Sequence, residues 1–330
     1  MPSCPDPQQG RASTYRPNHP LDLPATVRAL STGPGDPCWR TGPDGTIWWA
    51  TGTPLGPGLL SLHAMGAQGP VLTQAWGQGA DWLLEGVPEL LGADDDPAQF
   101  RPEPRHRVLV RAWRARPGLR VPRSRRVLDA LALACIAQRV TGVEAVRGWR
   151  ALVRRFGQPA PGAPAAAGGP AHGLWVPPTA AAWRSVPSWD WLAAGVDEQR
   201  RAPLIAAAGA PHGLERTLEL APTAVDRALQ SLPRVGRWTS AEVRQRAHGD
   251  ADAMSFGDYH VARDVSWALT GQVLDDDGCA QVVACYAGHR YRVQRLLELA
   301  GVSRPRHGPR MTLPTHTPAR FLAPRPGGTR

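Results

Sequence analysis

The 330 residues suffice for two or three compact domains, each with its own core, and a formal net charge of +10 with a pI near 10.5 favours a polyanionic partner. Arginines that neutralise phosphate release condensed counterions, which drives association. All 38 residues of the Lys and Arg class are arginine, and a guanidinium stays protonated and forms no Schiff base, so chemistry through a lysine nucleophile is excluded.

Residues 1 to 20 are polar and proline-rich and are expected to form a disordered arm. From 21 to 104, short apolar runs such as Thr46–Ala50 and Leu59–Leu62 alternate with Gly/Pro/Asp turns such as Gly33–Pro37. That pattern predicts a small antiparallel sheet closed by a helix near Gly79 to Leu91. Beyond Phe100 the spacing changes to threes and fours. Arg126–Gln138 and Val143–Phe156 predict two amphipathic helices. Further helices are expected at about Trp189–Ala208, Gly213–Leu220, Thr223–Leu232, Arg237–His248, Tyr259–Thr270 and Tyr291–Ala300. The stretch 158–170 is almost purely Ala, Pro and Gly and reads as a flexible insertion within a helical domain spanning 105–301. Residues 302 to 330 read as a basic disordered tail.

The five cysteines, Cys4, Cys38, Cys135, Cys279 and Cys285, show neither a CxxC pair nor metal-ligand spacing. No metal is therefore expected. The first residues lack the cationic and apolar blocks of a secretory signal, and no apolar run is long enough to span a bilayer, so a cytoplasmic location without membrane association is expected.

Thr223–Thr270 is the informative segment. Two helices meet through Leu232-Pro233-Arg234-Val235-Gly236, a connection short enough to demand a tight hairpin. Pro233 ends the first helix. Gly236 permits close backbone approach, and the amides that open the next helix, from Arg237 on, are left without internal partners, which suits a phosphate. Such a contact positions nucleic acid without reading its sequence. Twenty residues past the hairpin stands Phe256-Gly257-Asp258-Tyr259-His260, where Asp258 precedes a helix and suits a helix cap as well as a catalytic carboxylate.

Residues 232–264, LPRVGRWTSAEVRQRAHGDADAMSFGDYHVARD, resemble the helix-hairpin-helix, Gly/Pro-rich loop and aspartate of the DNA glycosylase superfamily named for those features. The Gly-Arg-Trp-Thr variant is similar to the DNA-3-methyladenine glycosylase II branch. Upstream, Ala134–Thr141 resembles that family's helix and Gln-x-Val-Ser/Thr loop, and residues 21–100 are similar to its N-terminal sheet domain. The resemblance implies an α+β protein, a small antiparallel β-sheet domain followed by an all-helical helix-hairpin-helix glycosylase domain with the hairpin at 223–248.

The resemblance further implies that Asp258 is the catalytic residue, consistent with a carboxylate stabilising the positive charge that develops on the sugar as an N-glycosidic bond breaks. It places Trp238, Tyr259 and Glu242 in a base pocket, and gives DNA contacts to Gln138, Arg139, Thr141, Pro233, Val235, Gly236, Arg237 and Thr239. Bifunctional relatives carry a lysine where this chain has Trp238, so hydrolysis that stops at an abasic site is implied. A tryptophan face also attracts cationic alkylated purines. Arg139 stands where relatives place an apolar wedge, and its guanidinium can stack on bases or bind phosphate. Glu242 lies one turn past Trp238, where an i+4 pair with Arg246 is the simpler reading. Asp250, Asp252 and Asp264 read as caps or surface charges, and Tyr286–Tyr291 loosely resembles a second pocket edge.

The implied protein is a monomeric base-excision enzyme without cofactor, working in the cytoplasm at the nucleoid on double-stranded DNA containing damaged bases, with 3-methyladenine and 7-methylguanine as the lesion type. The alternatives are a non-catalytic, hairpin-type lesion-binding protein and a glycosylase for deaminated or oxidised bases.

Overall fold

The computed structural model describes residues 9–66 and 68–305. An antiparallel sheet of five strands comes first in the chain: β1 (Arg11–Tyr15), β2 (Trp39–Thr41), β3 (Ile47–Thr53), β4 (Gly56–Ala64) and β5 (Val71–Trp76), in the spatial order β1-β5-β4-β3-β2. The arm expected over residues 1–20 is therefore a sheet edge in part. Backbone pairing of Arg11–Tyr15 with Val71–Ala75 supplies order that the polar side chains do not advertise. Residues 1–8 lie outside the described residues.

Successive side chains of a strand face opposite sides of the sheet, and β3 separates two adjacent tryptophans in this way. Ile47 and Trp49 join Trp39, Leu60 and Leu62 in one core, closed by Leu83, Val87 and Leu90 of the helices α2 (Ala80–Glu85) and α3 (Val87–Leu90) and by Leu91 just past them. This two-part helix is the one expected at 79–91, interrupted at Gly86. Trp48 faces the other way, stacks on Trp76 at 5.7 Å between centroids and packs with Ala160, Ala171, Leu174 and Val176.

The second face corrects the expected flexible insertion at 158–170. Gln158–Pro159 (β6) pairs with Trp175–Val176 (β7), and the intervening chain lies on the sheet. Large apolar area comes from Trp48 and Trp76, and small residues suffice to cover it closely: a Cβ on Gly162 would stand 2.5 Å from Trp76.

The remaining helices form two lobes. The first comprises α5 (Val127–Ala137), α6 (Gly142–Phe156), α7 (Ala180–Ser185), α8 (Ser188–Ala193), α9 (Glu198–Ala208), α10 (Pro211–Glu215), α11 (Pro222–Gln230) and α12 (Arg237–Val243). The fully buried Leu131, Ala132, Cys135 and Ile136 of α5 occupy its centre beside the tryptophans 149, 183 and 191. The helix expected over Trp189–Ala208 is divided at Ala194–Asp197, where Asp197 caps a new start by accepting from Arg200 N–H. The second lobe joins α1 (Leu23–Val27), α4 (Arg107–Ala115), α13 (Val261–Thr270), α14 (Asp276–Val282) and α15 (Arg290–Leu299) around Phe100, Leu109, Val265, Cys279, Val293 and Leu296. The chain crosses from the first lobe to the second at residues 249–260.

Side chains lock the sheet to both lobes. Asp95, just past α3, forms a buried ion pair with Arg292 of α15. Arg125 lays its guanidinium 3.9 Å from the Trp82 ring centroid and donates to the Trp82 carbonyl. From β3, Thr51 donates to Asp129 of α5 at 3.1 Å. Of the tail expected over 302–330, residues 306–330 lie outside the described residues.

Candidate active site

The hairpin expected between two helices is present. Val235 is buried in the first lobe's core and anchors the turn, while Pro233, Arg234 and Gly236 are exposed. Gly236 is extended, and a Cβ added to it would meet nothing within 4 Å. The close approach read from this glycine is thus not to the chain's own backbone. The first backbone bond of α12 runs from Ser240 N–H to Gly236 O (3.0 Å), so the amides ahead of it find no acceptor within the helix. Arg234 holds φ at +63°, a left-handed conformation that costs an L side chain roughly 1–2 kcal/mol. It departs from the glycine expected where such a turn is required.

After α12 the helix widens into a π-helical turn, Arg244–His248, and ends at Gly249 with φ +69°. The π turn is a feature the sequence reading missed, since the apolar spacing over 237–248 is that of a continuous helix. Its Arg244 holds both Asp250 (2.6 Å) and Asp226 (3.0 Å). Asp252 accepts from Gly288 N–H and Arg290 N–H, and Asp264 pairs with Arg304. These aspartates, expected as caps or surface charges, are partly buried in ion pairs that fix the crossing segment and its surroundings.

The same segment carries Asp258, which is partly buried. Its Oδ1 accepts from His260 N–H (2.7 Å) and Val261 N–H (3.0 Å). Those bonds cap α13, which explains why the helix starts at Val261 and not at Tyr259. Oδ2 makes no hydrogen bond within the described residues and remains available. One oxygen is held and the other is free, which is the geometry a fixed carboxylate needs beside a developing cation.

Trp238 lies directly behind this loop. Gly257, with φ +91°, is close enough that an added Cβ would lie 3.4 Å from Trp238 Cβ. Asp276 of α14 joins the two: it accepts Gly257 N–H at 2.8 Å and forms an ion pair with Arg237. Asp276 is a site residue that sequence reasoning missed, and Asp275-Asp276-Asp277 carried no sign of which carboxylate turns inward. Trp238 itself is half-buried, and its indole N–H finds no partner.

Glu242, one turn past Trp238, takes part in a buried polar network. Its Oε2 pairs with Arg246 at 2.6 Å, as the i+4 reading expected, and Oε1 accepts from Ser255 Oγ at 2.7 Å. Ser255 also receives the Gln245 amide (2.8 Å) and, at its backbone N–H, donates to Gln294 (3.0 Å). Burial alone would suppress the Arg246 charge, but Glu242 and Tyr291 raise its pKa above the ordinary value. Burial pushes Tyr291 up to about 12. Glu242, Gln245, Arg246, Tyr291 and Gln294 line one end of a cavity of about 950 Å³ whose other wall is formed by residues of the segment 22–41. Of the loosely expected second edge, Tyr291 lines this cavity, whereas Tyr286 is buried against His106 and Phe100.

Other expected contact residues are engaged within the protein or exposed. Tyr259, expected in the base pocket, is 71% exposed and stacks with Arg263 at 4.6 Å, because the turn that aims Asp258 inward aims the next residue outward. Gln138 and Thr239, expected on DNA, bond to each other at 2.9 Å, with Thr239 buried, and the Gln138 amide also donates to Arg234 O at 3.1 Å. Thr141 caps α6 in a reciprocal pair with Glu144. These three side chains join the two loops and start a helix. Arg237 is engaged with Asp276, and Arg139 is exposed at φ +58° with no partner among the described residues.

No family model matches the chain, and no curated protein matches it by sequence. Solved structures do. The 3-methyladenine DNA-glycosylase from Archaeoglobus fulgidus superposes with a TM-score of 0.67 over 87% of this chain and 98% of that one, at 15% identity. The chain has the fold of these DNA glycosylases. An 8-oxoguanine glycosylase/lyase of Clostridium acetobutylicum, bound to double-stranded DNA containing cytosine opposite 8-oxoguanine, gives 0.65 over 89% and 98% at 10% identity. MBOgg1 with a low-affinity DNA ligand gives 0.64 over 88% and 94% at 13% identity. The shared fold therefore covers both the five-stranded sheet and the two helical lobes, and the Gly257 that precedes Asp258 lies against Trp238.

Proposed function

We propose that the chain is a monofunctional DNA glycosylase that flips a damaged purine out of duplex DNA and hydrolyses its glycosidic bond. Supporting this reading above all is the Asp258 carboxylate, held by two amides through one oxygen and free at the other, in a loop backed by Trp238. As the bond to the base lengthens, positive charge grows on the sugar; the carboxylate stabilises it and orients or deprotonates the attacking water. The water's oxygen bonds to the sugar carbon and the base leaves with the bonding electrons. A cationic base is already a good leaving group, so one carboxylate suffices.

Alkylated purines of the 3-methyladenine and 7-methylguanine type are the proposed substrates. The half-buried indole of Trp238 offers a π face to a cationic ring, and the Archaeoglobus protein of the same fold is a 3-methyladenine glycosylase. The chain has no lysine to form a Schiff base, so the product is an intact strand with an abasic site. We place the enzyme, as a monomer, in the cytoplasm at the nucleoid, with neither metal nor organic cofactor in its chemistry.

A second reading is a glycosylase for deaminated or oxidised purines, since an 8-oxoguanine glycosylase/lyase of Clostridium acetobutylicum has the same fold. Single-lesion duplexes carrying 3-methyladenine, 7-methylguanine, hypoxanthine or 8-oxoguanine separate the readings when scored for free base. The first reading expects release from the methylated pair, no strand cleavage, and no borohydride-trapped adduct. Release confined to hypoxanthine or 8-oxoguanine would select the second.

A further inference from the structure

Two stripes run side by side along α4. Arg107, Arg111 and Arg114 recur at four- and three-residue spacing, and Val108, Ala112 and Ala115 do the same one position on, so each set shares one helix face. The three arginines are exposed, and none makes an ion pair or a side-chain hydrogen bond among the described residues. The second stripe is one wall of an open groove of about 650 Å³, completed by Trp267 and Gly271 at the end of α13 and by Val302 beyond α15. Arg111 borders the groove as well, and no acidic residue lines it. Leu109, on the inner side of α4, is fully buried in the core of the second lobe, so the groove is a feature of the outer surface.

An apolar floor is a poor seat for phosphate, and a row of unpaired arginines is a poor border for a purely apolar ligand. Together they suit a segment whose apolar side chains are flanked by carboxylates. The chain's own C-terminus lacks the carboxylates, since residues 306–330 hold five arginines and no acidic residue. A second copy carries the same net charge of +10 and is repelled. We propose that the groove between α4 and α13 docks an acidic, apolar-centred segment of another protein. Its apolar side chains fill the space beside Trp267 and Ala112, and its carboxylates pair with Arg107, Arg111 and Arg114. The apolar contacts hold the complex, and the arginines at the rim speed its formation and select an acidic partner. Asp258 caps the start of α13, whereas the groove borders the end of that helix, ten residues on. The docking surface is therefore separate from the carboxylate of the proposed chemistry and does not depend on it.

The test is fluorescence anisotropy of the full chain with a labelled peptide in which a phenylalanine- and leucine-containing core lies between runs of aspartate. A second peptide has the same aspartates and a core of serines. The parent is expected to bind the first with micromolar affinity and the second at least about tenfold more weakly. R111E/R114E, which reverses two exposed charges, is expected to weaken the apolar-cored peptide by about tenfold or more. Ala115→Arg separates docking from simple attraction, because it adds positive charge while filling the groove. Docking predicts a loss of about tenfold in A115R, and attraction alone predicts a gain. Both variants alter exposed positions and are expected to keep the parental Tm. Equal affinity of the parent for the two peptides, tighter binding by A115R, or no binding of the apolar-cored peptide would overturn the proposal. So would a loss of affinity for a labelled DNA duplex in R111E/R114E larger than the loss for the peptide, which would make the arginine row a nucleic-acid contact. The comparison of the two peptides on the parent decides the question even if a variant fails to fold.

Discussion

Asp276 accepts the backbone N–H of Gly257 at 2.8 Å and, through the same oxygen, pairs with Arg237. One carboxylate on α14 thus fixes the residue before Asp258 and the residue before Trp238. Trp238 lies on α12 of the first lobe and Asp258 on the crossing segment, and Asp276 of the second lobe ties the two together.

Replacing Asp276 by alanine is therefore expected to displace the Asp258 loop without touching the carboxylate itself. Small misplacements of reacting groups cost up to about a hundredfold in rate. Single-turnover base release should fall by about 10- to 100-fold in D276A, with duplex affinity changed far less, and D276N should recover part of the rate by accepting Gly257 N–H. Equal losses of rate and affinity would show that Asp276 acts in binding.

The Asp95–Arg292 pair, with side chains 3% and 0% exposed, binds the sheet domain to the last helix. Asp95 also accepts Val121 N–H at 2.9 Å. Removing one partner strands a buried charge, so D95A is expected to lose about 3–5 kcal/mol, read by urea denaturation. The double variant D95L/R292M, which leaves no charge behind, should recover most of that loss. Failure of the double variant to recover would point to the Val121 bond as the main contribution.

His248 closes the π-helical turn, with its Nε2 3.0 Å from Thr217 Oγ1. Burial lowers its pKa to about 4, against an ordinary value of 6.5. Between those values the folded chain binds fewer protons than the unfolded chain, so stability falls as pH is lowered through the window and the loss is complete below about 4. Denaturation midpoints measured from pH 7.5 to 4 should decline less steeply for H248Q than for the parent. Parallel profiles would assign the decline to other groups.

The sheet, the lobes and the hairpin were legible because each depends on local pattern: short apolar runs between Gly/Pro/Asp turns around β3 and β4, three- and four-residue spacing in α5 and α6, and a Pro-x-Val-Gly turn. The order of residues around that turn singled out Asp258 and Trp238, and the fold sets Trp238 against the glycine that precedes Asp258. What escaped was decided by long-range packing. Residues 158–170 look structureless until Trp48 and Trp76, a hundred positions earlier, offer them a surface. Gln138 ends one helix and Thr239 lies in the first turn of another, and only the folded chain shows that they bond to each other. Asp276 is one of three successive aspartates, and its role is set by where Gly257 and Arg237 lie.

The catalytic assignment is tested most directly by Asp258→Asn. Asparagine keeps an acceptor for His260 and Val261, so the cap of α13, the Tm and the duplex affinity should be retained while the charge is lost. Free base released from duplex carrying an alkylated purine, measured under single turnover, should then fall by about 10²- to 10³-fold or more. Release by D258N at the parental rate would contradict the account.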